Sequence, residues 1–185
     1  MTKPGVRISG GKLRGRSLAV PASARPTSAR LREALFDIWQ DRIAGARFLD
    51  LFAGSGAVGL EAFSRGADSV VFVESDREAS RRLRSVCAEL APDTSTVIQA
   101  NLPEELDRVK RTVGSGFDLI FADPPYDFDA YGELLASLAD SLEMGGEVAV
   151  EHSVRMELPG SPEGLTRQTI RDYGENRISF YAVGE

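Results

Sequence analysis

Two short stretches of the sequence combine residue types that could do chemistry. The first is Asp123-Pro124-Pro125-Tyr126, which directly follows the apolar run 117–122. Proline fixes φ and has no N–H, so a Pro-Pro pair presents rigid carbonyls without competing donors. The Asp123 carboxylate and the Pro124 carbonyl could accept both N–H groups of an amine on an aromatic ring, while Tyr126 stacks on that ring. The stretch therefore predicts a site that orients a planar amine, although Asp and Pro also suit a plain turn after a strand.

The second stretch is a strand that ends in a glycine turn. Residues 48–59 read as a strand, a tight turn that contains Gly54 and Gly56, and the start of a helix. Glycine lets the backbone pass close to a ligand, and a helix start supplies free N–H groups. Glu74 stands 20 residues beyond Gly54 at the end of the next apolar run. A carboxylate there could accept hydrogen bonds from both hydroxyls of a ribose, which predicts a nucleoside-cofactor site.

Two cofactors remain open from the glycine spacing alone. Gly54, Gly56 and Gly59 satisfy the dinucleotide fingerprint G-x-G-x-x-G, so an NAD-binding protein is an alternative. Asp50 precedes the turn, where it would repel a pyrophosphate but suits the ammonium of a methionyl group. A chain of 185 residues also leaves little for a separate substrate domain. With the amine-orienting motif added, S-adenosylmethionine is favoured, because its sulfonium methyl group is the electrophile that the amine needs.

Charge is unevenly distributed along the chain. The formal net charge is −6, yet residues 1–32 hold eight basic side chains and no acidic one, whereas the other 153 residues hold 14 basic and 28 acidic side chains. Segregation of this kind predicts a local footprint for nucleic acid, with a solvated basic tail as the alternative. The basic residues of this segment are Lys3, Arg7, Lys12, Arg14, Arg16, Arg25, Arg30 and Arg32.

Composition excludes several other classes of protein. One cysteine, Cys87, cannot form an intrachain disulfide and is predicted to be inert packing. One histidine, His152, cannot build a multi-histidine metal site and is predicted to be structural, with substrate contact together with Glu151 as the alternative. No run approaches the roughly 18 apolar residues of a membrane span, and there is no apolar signal core. We expect a soluble, cytoplasmic, metal-free monomer with no membrane partner.

The order of elements predicts the fold class. The alternating apolar pairs Val6/Ile8 and Leu18/Val20 predict a hairpin, and residues 21–26 are predicted to be a linker. A helix is predicted to begin at Thr27 or Ser28 and to continue to about Ile43, with Trp39 in the core. Strand and helix patterns then alternate, and two final runs joined by Gly174-Glu175 must be antiparallel. Predicted strands are 47–52, 69–74, 95–99, 117–122, 146–151, 166–173 and 176–183, and predicted helices are 57–65, 77–90, 103–112 and 129–142.

These motifs resemble the Class I methyltransferases, and more narrowly the RsmD family of bacterial 16S rRNA guanine-N2 methyltransferases. The resemblance covers nearly the whole chain, and its specific part is the basic amino-terminal sequence Arg-Ile-Ser-Gly-Gly-Lys-Leu-Arg-Gly from residue 7 and Arg-Pro-Thr-Ser from residue 25. Ala29 departs from the family, since other members often have an acid there. The resemblance implies a mostly parallel seven-stranded Rossmann-like sheet with a C-terminal antiparallel hairpin, S-adenosylmethionine as methyl donor, and a guanine of the small ribosomal subunit as target.

The resulting expectation is a basic extension over residues 1–26 that contacts RNA and a methyltransferase domain over 27–185. Alternatives that stay open are a DNA adenine-N6 methyltransferase, a protein glutamine-N5 methyltransferase and an rRNA-binding assembly factor without catalysis. The 30S particle is the expected setting of the substrate. The predicted site residues are Asp123, Pro124, Pro125 and Tyr126 for catalysis; Asp50, Phe52, Gly54, Ser55, Gly56, Glu74, Ser75 and Asn101 for the cofactor; and Arg7, Lys12, Arg14, Arg16, Arg30 and Arg32 for RNA.

Overall fold

The computed structural model describes residues 5–20 and 27–184, and the elements there follow the predicted alternation. The predicted linker Pro21–Pro26, Arg25 and Lys3 lie outside the described residues. The strands are β1 (Val6–Arg7), β2 (Ser17–Leu18), β3 (Arg47–Leu51), β4 (Ser69–Glu74), β5 (Ser95–Gln99), β6 (Phe117–Ala122), β7 (Leu142–Ser153), β8 (Leu165–Tyr173) and β9 (Asn176–Val183). The helices are α1 (Ala29–Ile38), α2 (Ala57–Ser64), α3 (Arg77–Leu90), α4 (Leu106–Val113) and α5 (Tyr131–Ala136), with 3₁₀ turns at Gly11–Leu13 and Ala139–Ser141.

Seven strands form the main sheet in the order β5-β4-β3-β6-β7-β9-β8, and β1 and β2 form a separate antiparallel pair. The strands from β5 to β7 are parallel, and β9 is antiparallel to both β7 and β8. The expected α/β class, with a mostly parallel sheet and a C-terminal antiparallel hairpin, is confirmed. The chain leaves β3 towards β4 on one side and later returns to β6 on the other, and such a switch in strand order opens a crevice at the carboxyl ends of the strands.

Local differences from the predicted elements have identifiable causes. The predicted helix 129–142 is shorter: α5 ends at Ala136, a 3₁₀ turn follows at Ala139–Ser141, and β7 begins at Leu142. The pair Gly145-Gly146 does not precede the strand but lies within it, where the register shifts between Phe117 and Leu119 of β6. The hairpin turn folds β9 back between β7 and β8, so the reversed strand lies inside the sheet and β8 forms its edge. Helix α1 ends at Ile38 rather than near Ile43, and a turn follows.

The apolar residues divide into two clusters, one on each face of the sheet. Trp39 is fully buried between Phe48 and Phe180, with ring centroids 5.8 and 6.2 Å away, which confirms its predicted place in the core. Cys87 is buried as well, and burial raises the pKa of its thiol to about 11, in agreement with packing rather than reactivity. Among the described helices, none is both long and apolar enough to cross a bilayer.

The segment 5–20, which we call the basic hairpin, is attached to the main domain through Glu61 of α2. This fully buried carboxylate accepts hydrogen bonds from the Ser9 and Gly10 amides and the Ser9 hydroxyl at 2.8–2.9 Å. It also pairs with Arg65 at 2.8 Å and with Arg32 at 3.4 Å. Burial alone would raise the pKa of Glu61, but these hydrogen bonds and the Arg65 charge outweigh burial and lower it.

Two further contacts explain the Gly-Gly pair of the basic hairpin. Ser64 of α2 donates to the Gly10 carbonyl at 2.5 Å and accepts from the Leu13 amide at 2.8 Å. Gly11 has a φ of +72°, and a Cβ there would lie 1.8 Å from the Ser64 carbonyl oxygen, so only glycine fits. Ile8 is fully buried in the core cluster of the main domain. The hairpin therefore packs as part of the domain.

Arg32 requires a correction to the predicted RNA footprint. Its side chain is 1% exposed, its Nε faces Glu61 and its Nη2 donates to the Arg7 carbonyl at 2.6 Å. A guanidinium held in this way cannot reach a phosphate outside the domain. The prediction that Arg32 grips RNA is wrong, because α1 turns this residue towards α2 instead of solvent.

Replacing Glu61 with alanine should destabilise the fold strongly. Loss of the carboxylate leaves Arg32 as a buried charge without its partner and frees the Ser9 and Gly10 amides, so we expect the free energy of unfolding to fall by about 3–5 kcal/mol. Urea denaturation followed by circular dichroism measures this change. Glu89→Ala, which breaks the exposed Arg16–Glu89 pair, is the control and should change stability little. Equal effects of both substitutions would contradict the role given to Glu61.

Candidate active site

A cavity of about 1020 Å³ opens at the carboxyl ends of the parallel strands. It is bordered by the glycine turn after β3, the end of β4, the Asp-Pro-Pro-Tyr segment after β6 and the end of β7. Ligand pockets in proteins usually measure about 300–1,000 Å³, so this cavity is large enough for two adjoining molecules. Both sequence motifs meet here.

The glycine turn has the backbone conformation that its sequence predicts. Gly54 and Gly56 have φ angles of +53° and +74°, which side chains with a Cβ rarely adopt. Phe52 has a φ of +58° and is the one non-glycine residue with positive φ among residues 5–20 and 27–184. Strained backbone of this kind persists where the surroundings hold it, typically at functional sites. The Phe52 ring packs edge-on against Phe128 at 5.3 Å and forms part of the cavity wall.

Glu74 is held in place at the end of β4 by backbone donors. Its Oε2 accepts from the Gly54 amide at 2.7 Å, and its Oε1 accepts from the Asp76 amide at 2.8 Å. A carboxylate oxygen can accept more than one hydrogen bond. Glu74 therefore ties the glycine turn to the start of α3 and still lines the cavity, where a ribose could donate to it.

Asp50 lies beneath the glycine turn and is almost completely buried. Its Oδ2 accepts from the Gly59 amide of α2 at 2.9 Å. Burial raises the pKa of Asp50 well above its usual value, the Gly59 bond counteracts this, and the charges of Asp123 and Glu74 raise it further. A positive charge on a ligand would relieve this repulsion, since it would interact favourably with all three carboxylates.

The whole cavity shares this negative character. Eight acidic residues line it, against one arginine, Arg155, in the described part of the chain. Such a wall repels a pyrophosphate and attracts a cation. The acidic residues are Asp50, Glu74, Asp76, Glu104, Glu105, Asp123, Glu151 and Glu175.

The Asp-Pro-Pro-Tyr segment closes the cavity on the side away from Glu74. Asp123 is half-buried, and its Oδ2 accepts from the Thr27 hydroxyl at 3.0 Å. Pro124 is buried beside it, whereas Tyr126 lies at the mouth with 83% of its surface exposed. The Tyr126 ring is therefore placed where it could cover a planar ring that enters the cavity.

A polar wall formed by β7 and β9 faces Asp123. Ala122 pairs with Val150 in the parallel register, so Asp123 and Glu151 are neighbours across adjacent strands, whose backbones are about 4.8 Å apart. Glu151 is buried, and one of its partners is the Asn176 amide at 2.7 Å. Glu151 had only an alternative role in the sequence prediction, although its place at the carboxyl end of the predicted strand 146–151 was a signal for it. Asn176 was not predicted, because it begins the antiparallel strand β9 and comes to Glu151 only when β9 pairs with β7.

His152 and Tyr131 complete this wall. His152 is buried, its Nε2 lies 2.9 Å from the Ser179 hydroxyl, and burial lowers the pKa of its ring. This placement fits the structural role that was predicted, although the residue also lines the cavity. Burial raises the pKa of Tyr131 to about 12, and the charges of Asp123 and Glu151 add to that effect.

Most of the predicted cofactor residues come together in the structure. Seven of the eight line the cavity: Asp50, Phe52, Gly54, Ser55, Glu74, Ser75 and Asn101. Gly56 does not line it; a Cβ at this position would lie 2.3 Å from the Leu83 side chain, so this glycine allows α2 and α3 to pack closely. Leu102, Glu104 and Glu105, next to Asn101, also line the cavity but were not predicted.

These residues fit S-adenosylmethionine. Glu74 would bind the ribose hydroxyls, the amides of the glycine turn and Asp50 would lie by the methionyl part, and Asn101 would lie near the adenine. The acidic lining matches the positive sulfonium and ammonium groups of this molecule and opposes NAD. When bound, S-adenosylmethionine supplies an electrophilic methyl group. The sheet order, the glycine turn, the acid at the end of β4 and the Asp-Pro-Pro-Tyr segment together define a Class I, S-adenosylmethionine-dependent methyltransferase.

Comparison with known proteins gives the family. Residues 6–182 match the family model described as Conserved hypothetical protein 95, and the chain belongs to this family, the RsmD family. Ribosomal RNA small subunit methyltransferase D of Escherichia coli K12 is 38% identical over 180 residues, which cover 95% of this chain and 89% of that protein. The solved structure of a hypothetical protein of Thermus thermophilus is 42% identical with a TM-score of 0.81, covering 96% of this chain and 99% of that chain.

A more distant structure supports the fold. A protein solved as a complex with SAH has a TM-score of 0.66 and 12% identity, covering 82% of this chain and 49% of that chain. The predicted family, fold class and cofactor are thus confirmed.

Substitution of Glu74 by alanine should weaken the binding of S-adenosylmethionine. The change removes the carboxylate that holds the Gly54 amide and would bind the ribose, so we expect the dissociation constant to rise about 10- to 100-fold, or about 1.4–2.8 kcal/mol. Isothermal titration calorimetry measures it. Glu78→Ala, on the exposed surface of α3, is the control. Unchanged affinity in Glu74→Ala, or binding of NAD by the wild type, would contradict this site.

Proposed function

We propose that the protein transfers a methyl group from S-adenosylmethionine to the exocyclic N2 of a guanine in the rRNA of the small ribosomal subunit. The observation that carries this proposal is the pair of carboxylates, Asp123 and Glu151, which line one cavity next to the nucleoside site and follow register-paired positions of β6 and β7. The name of the Escherichia coli relative supports rRNA as the substrate.

The two carboxylates suit guanine better than adenine. Guanine presents the N1–H and the 2-amino group side by side, so its edge offers neighbouring donors. Adenine places an unprotonated N1 beside its amino group, and a second carboxylate would repel that lone pair. With the Asp123 carboxylate and the Pro124 carbonyl accepting from the 2-amino group, the Glu151 carboxylate would accept from N1–H. This complementarity supports guanine N2 over adenine N6.

Asp123 and Pro124 would promote the reaction by orientation and charge. The amine lone pair is delocalised into the ring, and hydrogen bonds from both N–H groups would direct the nitrogen towards the methyl carbon. As the new C–N bond forms and the S–C bond breaks, positive charge grows on nitrogen. The Asp123 carboxylate would stabilise this charge and accept the proton that the nitrogen then loses. Tyr126 would cover the base and exclude water from the cavity.

A basic surface beside the cavity would bind the rRNA backbone. The side chains that would form this surface are all exposed: Arg7, Lys12, Arg14, Arg16 and Arg30. Two of them also have partners in the protein: Arg16 pairs with Glu89 at 2.9 Å, and the Lys12 ammonium lies 3.5 Å from the centre of the Phe63 ring. The guanine would have to turn out of its loop to reach Asp123. A particle of the small subunit is the proposed substrate.

The choice of methyl acceptor tests the proposed function. Small subunits from cells that lack the gene, DNA and a protein extract are each incubated with tritiated S-adenosylmethionine and the purified protein. We expect label in the rRNA alone, as N2-methylguanine after nuclease digestion and chromatography. Label in DNA or protein would identify the adenine-N6 or glutamine-N5 alternative.

Asp123→Ala is the control for catalysis in the same experiment. This variant should transfer no methyl group, while its affinity for S-adenosylmethionine stays within about tenfold, or ~1.4 kcal/mol, of the wild type. Full activity would remove Asp123 from the mechanism. Binding of rRNA without transfer by the wild type would favour the assembly factor.

The double substitution Arg14→Gln/Arg30→Gln should weaken RNA binding without changing cofactor affinity. The plot of log K against log salt has a negative slope, and each lost phosphate contact should reduce the magnitude of that slope by about 1. We therefore expect the magnitude to decrease by about 2 in the double variant. Filter binding over a salt series measures the slope. The matched control is Arg111→Gln/Arg171→Gln, which removes two exposed charges from α4 and β8. If both pairs lower the slope equally, the basic surface has no special role.

A further inference from the structure

Thr27 connects the amino-terminal part of the chain to the catalytic carboxylate. Its Oγ1 donates to Asp123 Oδ2 at 3.0 Å, across 96 positions of sequence. Thr27 lines the large cavity, and it also lines a second cavity of about 590 Å³ between the basic hairpin and the first turn of α1. From the sequence, Thr27 is a possible start of α1 and part of the Arg-Pro-Thr-Ser motif, whereas its contact with Asp123 is visible only in the folded structure.

The position of Thr27 is determined by its neighbours. Ser28, which follows it, caps α1 by accepting from the Leu31 amide at 3.1 Å. One turn further along α1, the buried Arg32 is paired with Glu61 and donates to the Arg7 carbonyl. The residue that contacts Asp123 thus directly precedes a capped helix that is anchored to α2 and to the basic hairpin.

A hydroxyl at this point has a specific use for the reaction. The terminal torsion of an aspartate has a broad energy minimum, so the plane of its carboxylate is easily rotated. Methyl transfer from the proposed site requires an Asp123 oxygen in the direction of the amine N–H. A donor that holds Oδ2 from the side of α1 restricts this rotation and so contributes to the orientation of the whole carboxylate.

We propose that Thr27 is a positioning residue for methyl transfer: its hydroxyl orients the Asp123 carboxylate towards the amine of the base. This inference rests on the role of Asp123 in the proposed function. Because Arg7 and Arg14 line the second cavity together with Thr27, the segment that orients Asp123 also borders the surface proposed for RNA. RNA that binds there lies next to the residue on which the alignment of Asp123 depends.

The test compares Thr27→Val, Thr27→Ser and Asp118→Ala under saturating S-adenosylmethionine. Valine keeps the shape but loses the donor, and since misplacement by about 1 Å can cost 10²-fold, we expect kcat to fall at least about tenfold. The KM for the RNA and the dissociation constant of S-adenosylmethionine should stay within about threefold, since neither ligand loses a contact. Thr27→Ser keeps the hydroxyl and should retain kcat.

Asp118→Ala distinguishes positioning from folding. It removes the carboxylate that accepts from the Arg47 amide at 2.7 Å, at the end of the sheet opposite the cavity, and should lower the melting temperature while kcat stays near the wild-type value. A wild-type kcat in Thr27→Val would overturn the proposal, and so would an equal loss of kcat in Asp118→Ala. If the wild type methylates a different acceptor, the proposed function fails, but the same ratios measured on that acceptor still decide the role of Thr27.

Discussion

The concentration of negative charge at one edge of the sheet is the constraint on which the site depends. Four adjacent parallel strands each place a carboxylate near their carboxyl end. These are Glu74 on β4, Asp50 on β3, Asp123 directly after β6 and Glu151 on β7. Parallel strands bring these ends together, and the half-buried crevice weakens screening by water. A ligand that carries positive charge relieves the resulting repulsion, and a group that develops positive charge during reaction is stabilised there. The acidic edge therefore suits both a sulfonium cofactor and an amine that is being methylated.

Helix α2 links this edge to the basic hairpin. The Gly59 amide binds Asp50 under the glycine turn, while Glu61, half a turn later, binds the basic hairpin and Arg32. The helix that begins at the cofactor turn is therefore also the support for the segment that bears the basic surface. The Glu61 carboxylate is fully buried, but the hydrogen bonds and the Arg65 charge lower its pKa, so the charged form is favoured.

The two charged regions have opposite signs and separate tasks. The acidic cavity suits the cofactor and the reacting amine, and the basic hairpin offers cations to phosphates outside it. A net charge of −6 reflects neither region. Thr27 lies where they meet, since it borders the second cavity beside Arg14 and contacts Asp123 in the first. In the proposed function, binding of the rRNA and alignment of Asp123 would therefore depend on neighbouring residues of one segment.

The sequence by itself determined the order of the elements, the glycine turn and both chemical motifs, because apolar periodicity, positive φ at Gly54 and the rigidity of Pro124 act over a few residues. It did not determine that β9 lies between β7 and β8, that Arg32 faces Glu61 rather than solvent, or that Thr27 contacts Asp123. Those outcomes are contacts between residues that lie far apart in the sequence. Only the packing of the folded chain decides which of these contacts form.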